Sequence, residues 1–235
     1  MRKYYILWNI TSTSKIGKNG KLAVLRPHEP IEITGQLIDV QHGQLLNTFH
    51  SFIKTKRPIS SYCAQTANVT RAAIKKAPSL SHVLLRWTEW IEEVSSLYKI
   101  KPGSTQLVVF GSWPLLKCLP LACEKEGIEV PDSLGTKYHK TLIDLQKSMA
   151  LLTTKTPDSV EDCLDCIGLG FNGSPGNCLD QSLNLLQLLR SVVSNKWKLV
   201  SSIDADTIMM EFDHSYPHIN ISHLKQKGKS LRFSK

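Results

Sequence analysis

The first 28 residues contain no aspartate or glutamate, and the first acid of the chain is Glu29. An N-terminal strand that opens into polar residues is a common place for catalytic carboxylates, yet Tyr4 to Ser14 (YYILWNITSTS) offers none. Also missing is any apolar run of the roughly 18–20 residues that a membrane span needs. Arg2 and Lys3 are not followed by the apolar core and small-residue cleavage site of a secretory signal, so this end reads as a first strand. These absences predict a nuclear or cytoplasmic protein, not secreted and without a membrane partner. No repeat or low-complexity linker breaks the chain.

What is present is mostly basic. The net charge is +9, with Arg2, Lys3, Lys15, Lys18, Lys21 and Arg26 crowded before the first acid. Further clusters are Lys54-Lys56-Arg57, Arg71-Lys75-Lys76 and the C-terminal group from Lys225 to Lys235. Such a surplus favours a polyanionic partner, because each neutralised phosphate releases condensed counterions. A length of 235 residues suits one large domain or two small ones. Six cysteines without a secretory signal imply reduced thiols. Cys163 and Cys166 form a CxxC that Cys118 and Cys123 could complete as a zinc site. Both pairs fall in helix-like segments, however, where cysteine packs as a small apolar residue. His214 and His218 of HSYPH read as surface residues. No metal and no cofactor are expected.

Hydrophobic periodicity gives the order of elements. Residues 4–10 form a strand, and 31–53 form two more with a turn at His42-Gly43, so the chain opens as a three-stranded antiparallel meander. Residues 61–76 are helix-compatible. After Pro78, with Ser79 or Ser81 as cap, comes a helix bearing Val83, Leu84, Trp87, Trp90, Ile91 and Val94. Residues 105–113 are a buried strand, and the next helix begins at a proline, is kinked or bounded at Pro120 and stops near Gly127. A strand or strand-to-helix transition at 137–152 and a helix at 159–169 capped by Ser159 follow. A glycine-rich loop then leads to an amphipathic helix at 178–193, and 197–212 has room for one more strand. This order predicts an α/β layer architecture of ribonuclease H type, a central mixed sheet with an antiparallel meander flanked by helices.

The same residues carry a family resemblance covering about residues 3–195. Ile59, Ser60, Tyr62, Cys63, Thr66, Val69, Ile74, Ala77 and Pro78 keep the spacing of the LS-x-FC-x-x-LTGI-x-x-x-x-V-x-x-AP segment. Gly111 and Trp113 keep a GDWD-like segment, and Gly173, Pro175, Asp180 and Asn184 keep the frame of GRPH-x-G-x-DD-x-x-N. The chain thus resembles the DEDDh 3′–5′ exonucleases, specifically the Eri-1/Snipper-like branch that trims small RNAs, histone mRNA ends and ribosomal RNA. That resemblance implies four carboxylates around two divalent metals about 4 Å apart, with a histidine as general base.

Placed on this sequence, the D-x-E of the first strand falls on Trp8 and Ile10, and the last aspartate of GDWD on Pro114. The histidine falls on Gly176 and the metal-binding aspartate five residues later on Gln181, with Asp180 as the other, non-ligating acid. All five catalytic positions are therefore expected to be degenerate, with Trp8 plugging the cleft. The resulting expectation is a catalytically inactive exonuclease-like domain at 1–195 and a C-terminal extension at 196–235 with a possible extra strand and a basic tail. It would act as a protein-interaction adaptor in RNA-processing or small-RNA machinery. It could also bind RNA through Lys15, Lys18, Lys21, Arg71, Lys75 and Lys76 along the old groove. The alternative is an active metal-dependent 3′–5′ exoribonuclease with non-standard ligands.

Overall fold

Alternation along the first strand, β1 (Tyr4–Ser12), sets the layout. Tyr4, Ile6, Trp8 and Ile10 face one side of the sheet, and Tyr5 and Leu7 face the other, each set entering its own core. The computed structural model describes residues 4–16, 22–24, 29–101, 105–134, 142–153 and 157–202.

β1 is central in a six-stranded sheet of order β5-β4-β1-β6-β7-β8. It pairs antiparallel with β4 (Pro30–Asp39), which pairs antiparallel with β5 (Gln44–Phe52) across a turn at the expected His42-Gly43 position. On its other side it runs parallel to β6 (Thr105–Val109), which is parallel to β7 (Leu142–Asp144). β8 (Ser201–Ser202) closes that edge antiparallel to β7, beyond residue 195; residues 203–235, with His214 and His218, lie outside the described residues. A small hairpin, β2 (Ser14–Ile16) with β3 (Leu22–Val24), was not expected from the Lys/Gly/Asn composition of that stretch.

The helices follow their capping signals. Residues 61–76 split into α1 (Ser61–Thr66) and α2 (Arg71–Lys76), because Ser60 and Thr70 each cap a separate start and Asn68 breaks the run at φ 52°. Ser79 caps α3 (Leu80–Leu97). A π-helical turn at Pro114–Cys118 precedes α4 (Leu119–Glu126), so Pro120 sits at a boundary between two helical geometries. α5 (Leu145–Thr153), α6 (Val160–Cys166) and α7 (Cys178–Ser194) complete the set.

α3 covers one face of the sheet with Trp87 and Trp90 against Phe49, whose ring meets Trp87 edge-on at 5.4 Å. On the other face Leu185, Leu188, Leu189 and Val192 of α7 pack on Tyr5, Leu7, Val108 and Ile143. The α7-facing row of β4 is polar: Glu32, Thr34 and Gln36 are all fully buried. Neither atom of the Gln36 amide has a hydrogen-bond partner among the described residues, which costs about 1–3 kcal/mol. Gln36→Met, of similar length, is therefore expected to raise the urea midpoint with an unchanged m-value.

At the end of β7, Asp144 caps the start of α5. Its Oδ1 accepts N–H bonds from Gly111 (3.1 Å), Gln146 (2.9 Å) and Lys147 (3.2 Å). Burial raises its carboxyl above the usual range, opposed by the N–H groups of Lys147, Gly111 and Gln146. The ionised form is thus penalised in the folded state, so its contribution falls as pH rises from the unfolded carboxylate range to the raised value, then levels off. Asp144→Asn keeps an acceptor for the three donors and is expected to flatten that pH dependence in thermal melts. Asp144→Ala orphans them and should lose about 2 kcal/mol.

Candidate functional site at the end of β1

β1 ends where α7 begins, and the two are tied together by side chains. Asn177 caps α7 by accepting the Asp180 N–H (2.9 Å), and the Cys178 N–H donates to the buried Glu32 carboxylate at 3.0 Å. The other Glu32 oxygen meets His50 Nε2 at 2.7 Å. One turn further along α7, the Ser182 hydroxyl bonds Thr34. Glu32 stands opposite Thr11 and Thr34 opposite Asn9 in the β1–β4 ladder, so all of these groups surround one spot.

At that spot Asn9 Nδ2 donates to Gln181 Oε1 at 3.0 Å. Asn9 Oδ1 accepts the Ile10 N–H at 2.9 Å, and Gln181 Nε2 donates to the Pro175 carbonyl. The amides form a chain from β1 to the loop before α7. The Thr11 hydroxyl, two residues along the same face, is buried without a partner among the described residues. Asp180 holds the loop by accepting the Ser174 N–H at 2.8 Å. Gly173, at φ 93°, brings its backbone so close to that carboxylate that a Cβ would sit 2.5 Å from it. On the α1 side, Asn177 Nδ2 donates to the Ala67 carbonyl at 3.0 Å.

The expected site residues are only partly brought together. Gln181 lies at the centre. Trp8 and Ile10 do not: Trp8 is 1% exposed, and both are packed in the α3-side core, on the opposite face of β1 from Gln181. Trp8 is core rather than a plug in the cleft, and the residues at the end of β1 that share the α7 side with Tyr5 and Leu7 are Asn9 and Thr11. The correction is one residue of strand register, which turns every side chain to the other face. The signal was present in YYILWNITS, where polar Asn9 and Thr11 alternate with apolar Ile6, Trp8 and Ile10.

Pro114 opens the π-helical turn after β6. Gly176 packs against the end of α1, where a Cβ would meet the Thr66 carbonyl oxygen at 2.5 Å. Lys18 and Lys21 lie outside the described residues, as does the Lys15 side chain, whose backbone is in β2. Arg71 donates from Nε to the Ile59 carbonyl (3.0 Å) and from Nη2 to the Ser61 hydroxyl (2.8 Å), a structural use. Lys75 and Lys76 are exposed at the end of α2. The cysteines do not converge, since Cys123 belongs to the α3-side core and Cys163 to the α7-side core. Burial pushes the Cys118 and Cys163 thiols up to about 12, which keeps them protonated at neutral pH.

The donor set can be tested against the metal pair implied by the resemblance. Mg²⁺ is held by carboxylates, water and phosphate oxygens. Here the groups on the site face are two carboxamides and a hydroxyl. Of the acids at this end of the sheet, Glu32 serves His50 and Cys178, Asp180 serves the loop, and Asp144 caps α5. Among the described residues no three His, Cys, Asp or Glu side chains gather as a metal site. A four-carboxylate, two-metal centre does not fit these residues.

A mixed sheet with an antiparallel β5-β4-β1 half and parallel β6 and β7, layered by helices, is the ribonuclease H-like architecture of DEDDh exonucleases. The family model described as Exonuclease matches residues 21–167, and the chain belongs to that family. It is 27% identical over 184 residues to ERI1 exoribonuclease 2 of Danio rerio, an alignment covering 73% of this chain and 32% of that protein. It is 22% identical over 167 residues to the Homo sapiens 3′–5′ exoribonuclease 1, covering 68% of this chain and 45% of that protein. The chain thus spans about a third to a half of the length of these curated relatives. Among solved structures, the nuclease domain of 3′hExo, a DEDDh family member bound to rAMP, superposes with TM-score 0.71 at 20% identity, covering 86% of this chain and 96% of that one.

These relationships correct the expectation that the chain is not an enzyme. The relatives are named exoribonucleases, and the superposed structure is the nuclease domain of a DEDDh family member. No helix among the described residues is long and apolar enough to cross a membrane.

Proposed function

We propose that the protein acts at RNA 3′ ends, where the end of β1, the start of α7 and the end of α1 meet. The observation that carries this reading is the Asn9–Gln181 contact, which brings two polar side chains of distant segments together at the β1–α7 junction of an exonuclease fold. α7 is 17 residues long and begins at this junction, its first N–H groups held by Glu32 and Asn177. Lys75 and Lys76 add exposed positive charge beyond α1.

The test is fluorescence anisotropy with labelled single-stranded RNA. RNA with a free 3′ end is expected to bind more tightly than the same RNA blocked at that end. Reversing Lys75 and Lys76 to Glu should weaken binding to all sequences alike and flatten its salt dependence. Equal affinity for free and blocked ends would overturn the reading.

The relatives' names favour a second reading at the same site, 3′–5′ trimming with non-standard ligands. Its test is incubation with end-labelled RNA: a ladder of 3′-shortened products in Mg²⁺ or Mn²⁺ that disappears in Gln181→Ala would establish it, and no shortening would overturn it. The setting of the Eri-1-like branch supports protein partners in RNA-processing or small-RNA machinery, in nucleus or cytoplasm. Co-purification of such proteins with the native chain checks this.

A further inference from the structure

We infer that the β1–α7 site grips an RNA end through hydrogen bonds from neutral groups, with Asn9 and Thr11 as its β1 residues, and needs no divalent cation to do so. The inference rests on the proposed action at RNA ends and specifies the chemistry of that grip.

A primary amide has two N–H donors and two acceptor lone pairs. Asn9 uses one donor on Gln181 and one acceptor on the Ile10 N–H; Gln181 uses one donor on Pro175 and one acceptor on Asn9. Among the described residues, each amide therefore keeps one donor and one acceptor for a ligand. The internal chain of bonds fixes their orientation before any ligand arrives, which reduces the entropy lost on binding. The Thr11 hydroxyl adds a donor-acceptor group without a partner among the described residues. Mixed donors and acceptors match a ribose hydroxyl, which is both, and the spare N–H groups match a phosphate oxygen.

Charge supports the same conclusion. In a site built of carboxylates, cations must bridge the protein to the phosphate, since two anions otherwise repel. Here the one carboxylate that faces the cluster from β4, Glu32, is fully buried and shared between His50 and the Cys178 N–H. Asp180 is turned to the Ser174 N–H. With neutral groups in front and both nearby carboxylates engaged by protein donors, a phosphate can approach directly.

The experiment uses the full chain in two readouts. Electron paramagnetic resonance of Mn²⁺ should show no stoichiometric binding to the wild type. The near-isosteric double variant Asn9→Asp/Gln181→Glu, which sets two carboxylates face to face, should bind the ion. In anisotropy, wild-type affinity for a 3′-hydroxyl RNA should change by less than about twofold between Mg²⁺ and EDTA at matched ionic strength. The double variant should lose at least about tenfold in EDTA and recover with Mn²⁺. Thr11→Val, which removes only the hydroxyl, should weaken RNA binding in EDTA without lowering the melting temperature.

Stoichiometric Mn²⁺ binding by the wild type, or a tenfold loss of its RNA affinity in EDTA, would overturn the inference. Absence of RNA binding in both buffers would instead overturn the RNA-end reading, and the Mn²⁺ readout would still decide whether this site holds the ion.

Discussion

Gly35→Ala should lower the melting temperature by about 10 °C, the largest effect expected of a methyl group added at any described glycine. Gly35 stands on β4 opposite Trp8 of β1, directly under α3. A Cβ there would overlap Cζ3 and Cη2 at the edge of the Trp87 ring, with the Trp90 ring 3.2 Å away. Neither indole is free to retreat. Trp87 Nε1 donates to the Ser133 hydroxyl at 3.1 Å, Trp90 Nε1 donates to Asn47 Oδ1 at 2.9 Å, and the two ring centroids are 5.0 Å apart. Close-packed interiors take extra volume only by shifting backbone or leaving rotamers, at about 1–3 kcal/mol and sometimes more. Trp87 is fully buried, so the upper end applies, and a domain of this size loses about 2–4 °C per kcal/mol. Differential scanning calorimetry decides it; a melting temperature within about 2 °C of wild type would mean that α3 is not seated on β4 this tightly.

The second large effect concerns the site. Gly176→His, which puts an imidazole where the resemblance calls for a general base, is expected to dislodge α1 rather than create a base. A Cβ at 176 meets the Thr66 carbonyl carbon and oxygen at 2.6 and 2.5 Å, and these are backbone atoms that no rotamer change can move. The Asn177–Ala67 bond crosses the same seam and would be lost with it. The expected result is a loss of about 2–3 kcal/mol in urea titration, with faster amide exchange confined to α1 and the start of α7. RNA affinity should fall in parallel. Wild-type stability would show that the seam can open, leaving room for a side chain beside Gln181.

Much of this fold could be read from the sequence because each signal was local. Ser79 and Ser159 cap the helices that follow them, Gly127 ends α4, and the His42-Gly43 turn joins β4 to β5. The split between α1 and α2 was less visible, since Thr70 caps a helix of only six residues. The register of β1 was missed for another reason. Matching by motif spacing fixes a strand to within a residue, but a strand's two faces differ by that one residue. The alternation of Ile6, Trp8 and Ile10 with Asn9 and Thr11 resolves it, because the apolar set must face α3. The partner of Asn9 was beyond reach of any local signal, as it depends on how α7 is seated over β4 by Glu32 and Ser182.

That long reach has a consequence for biosynthesis. Asn9 and Gln181 are separated by 172 positions, and the Glu32–Cys178 and Thr34–Ser182 bonds by 146 and 148. Closing such contacts carries a loop entropy that slows folding. On a ribosome adding about 5–20 residues per second, β1 waits roughly ten to thirty seconds after it emerges for α7 to follow. During that interval the nascent meander exposes the face of β1, β4 and β6 that α7 will cover. A chaperone acting on this protein therefore has a defined moment and a defined surface: the sheet before the last helix arrives.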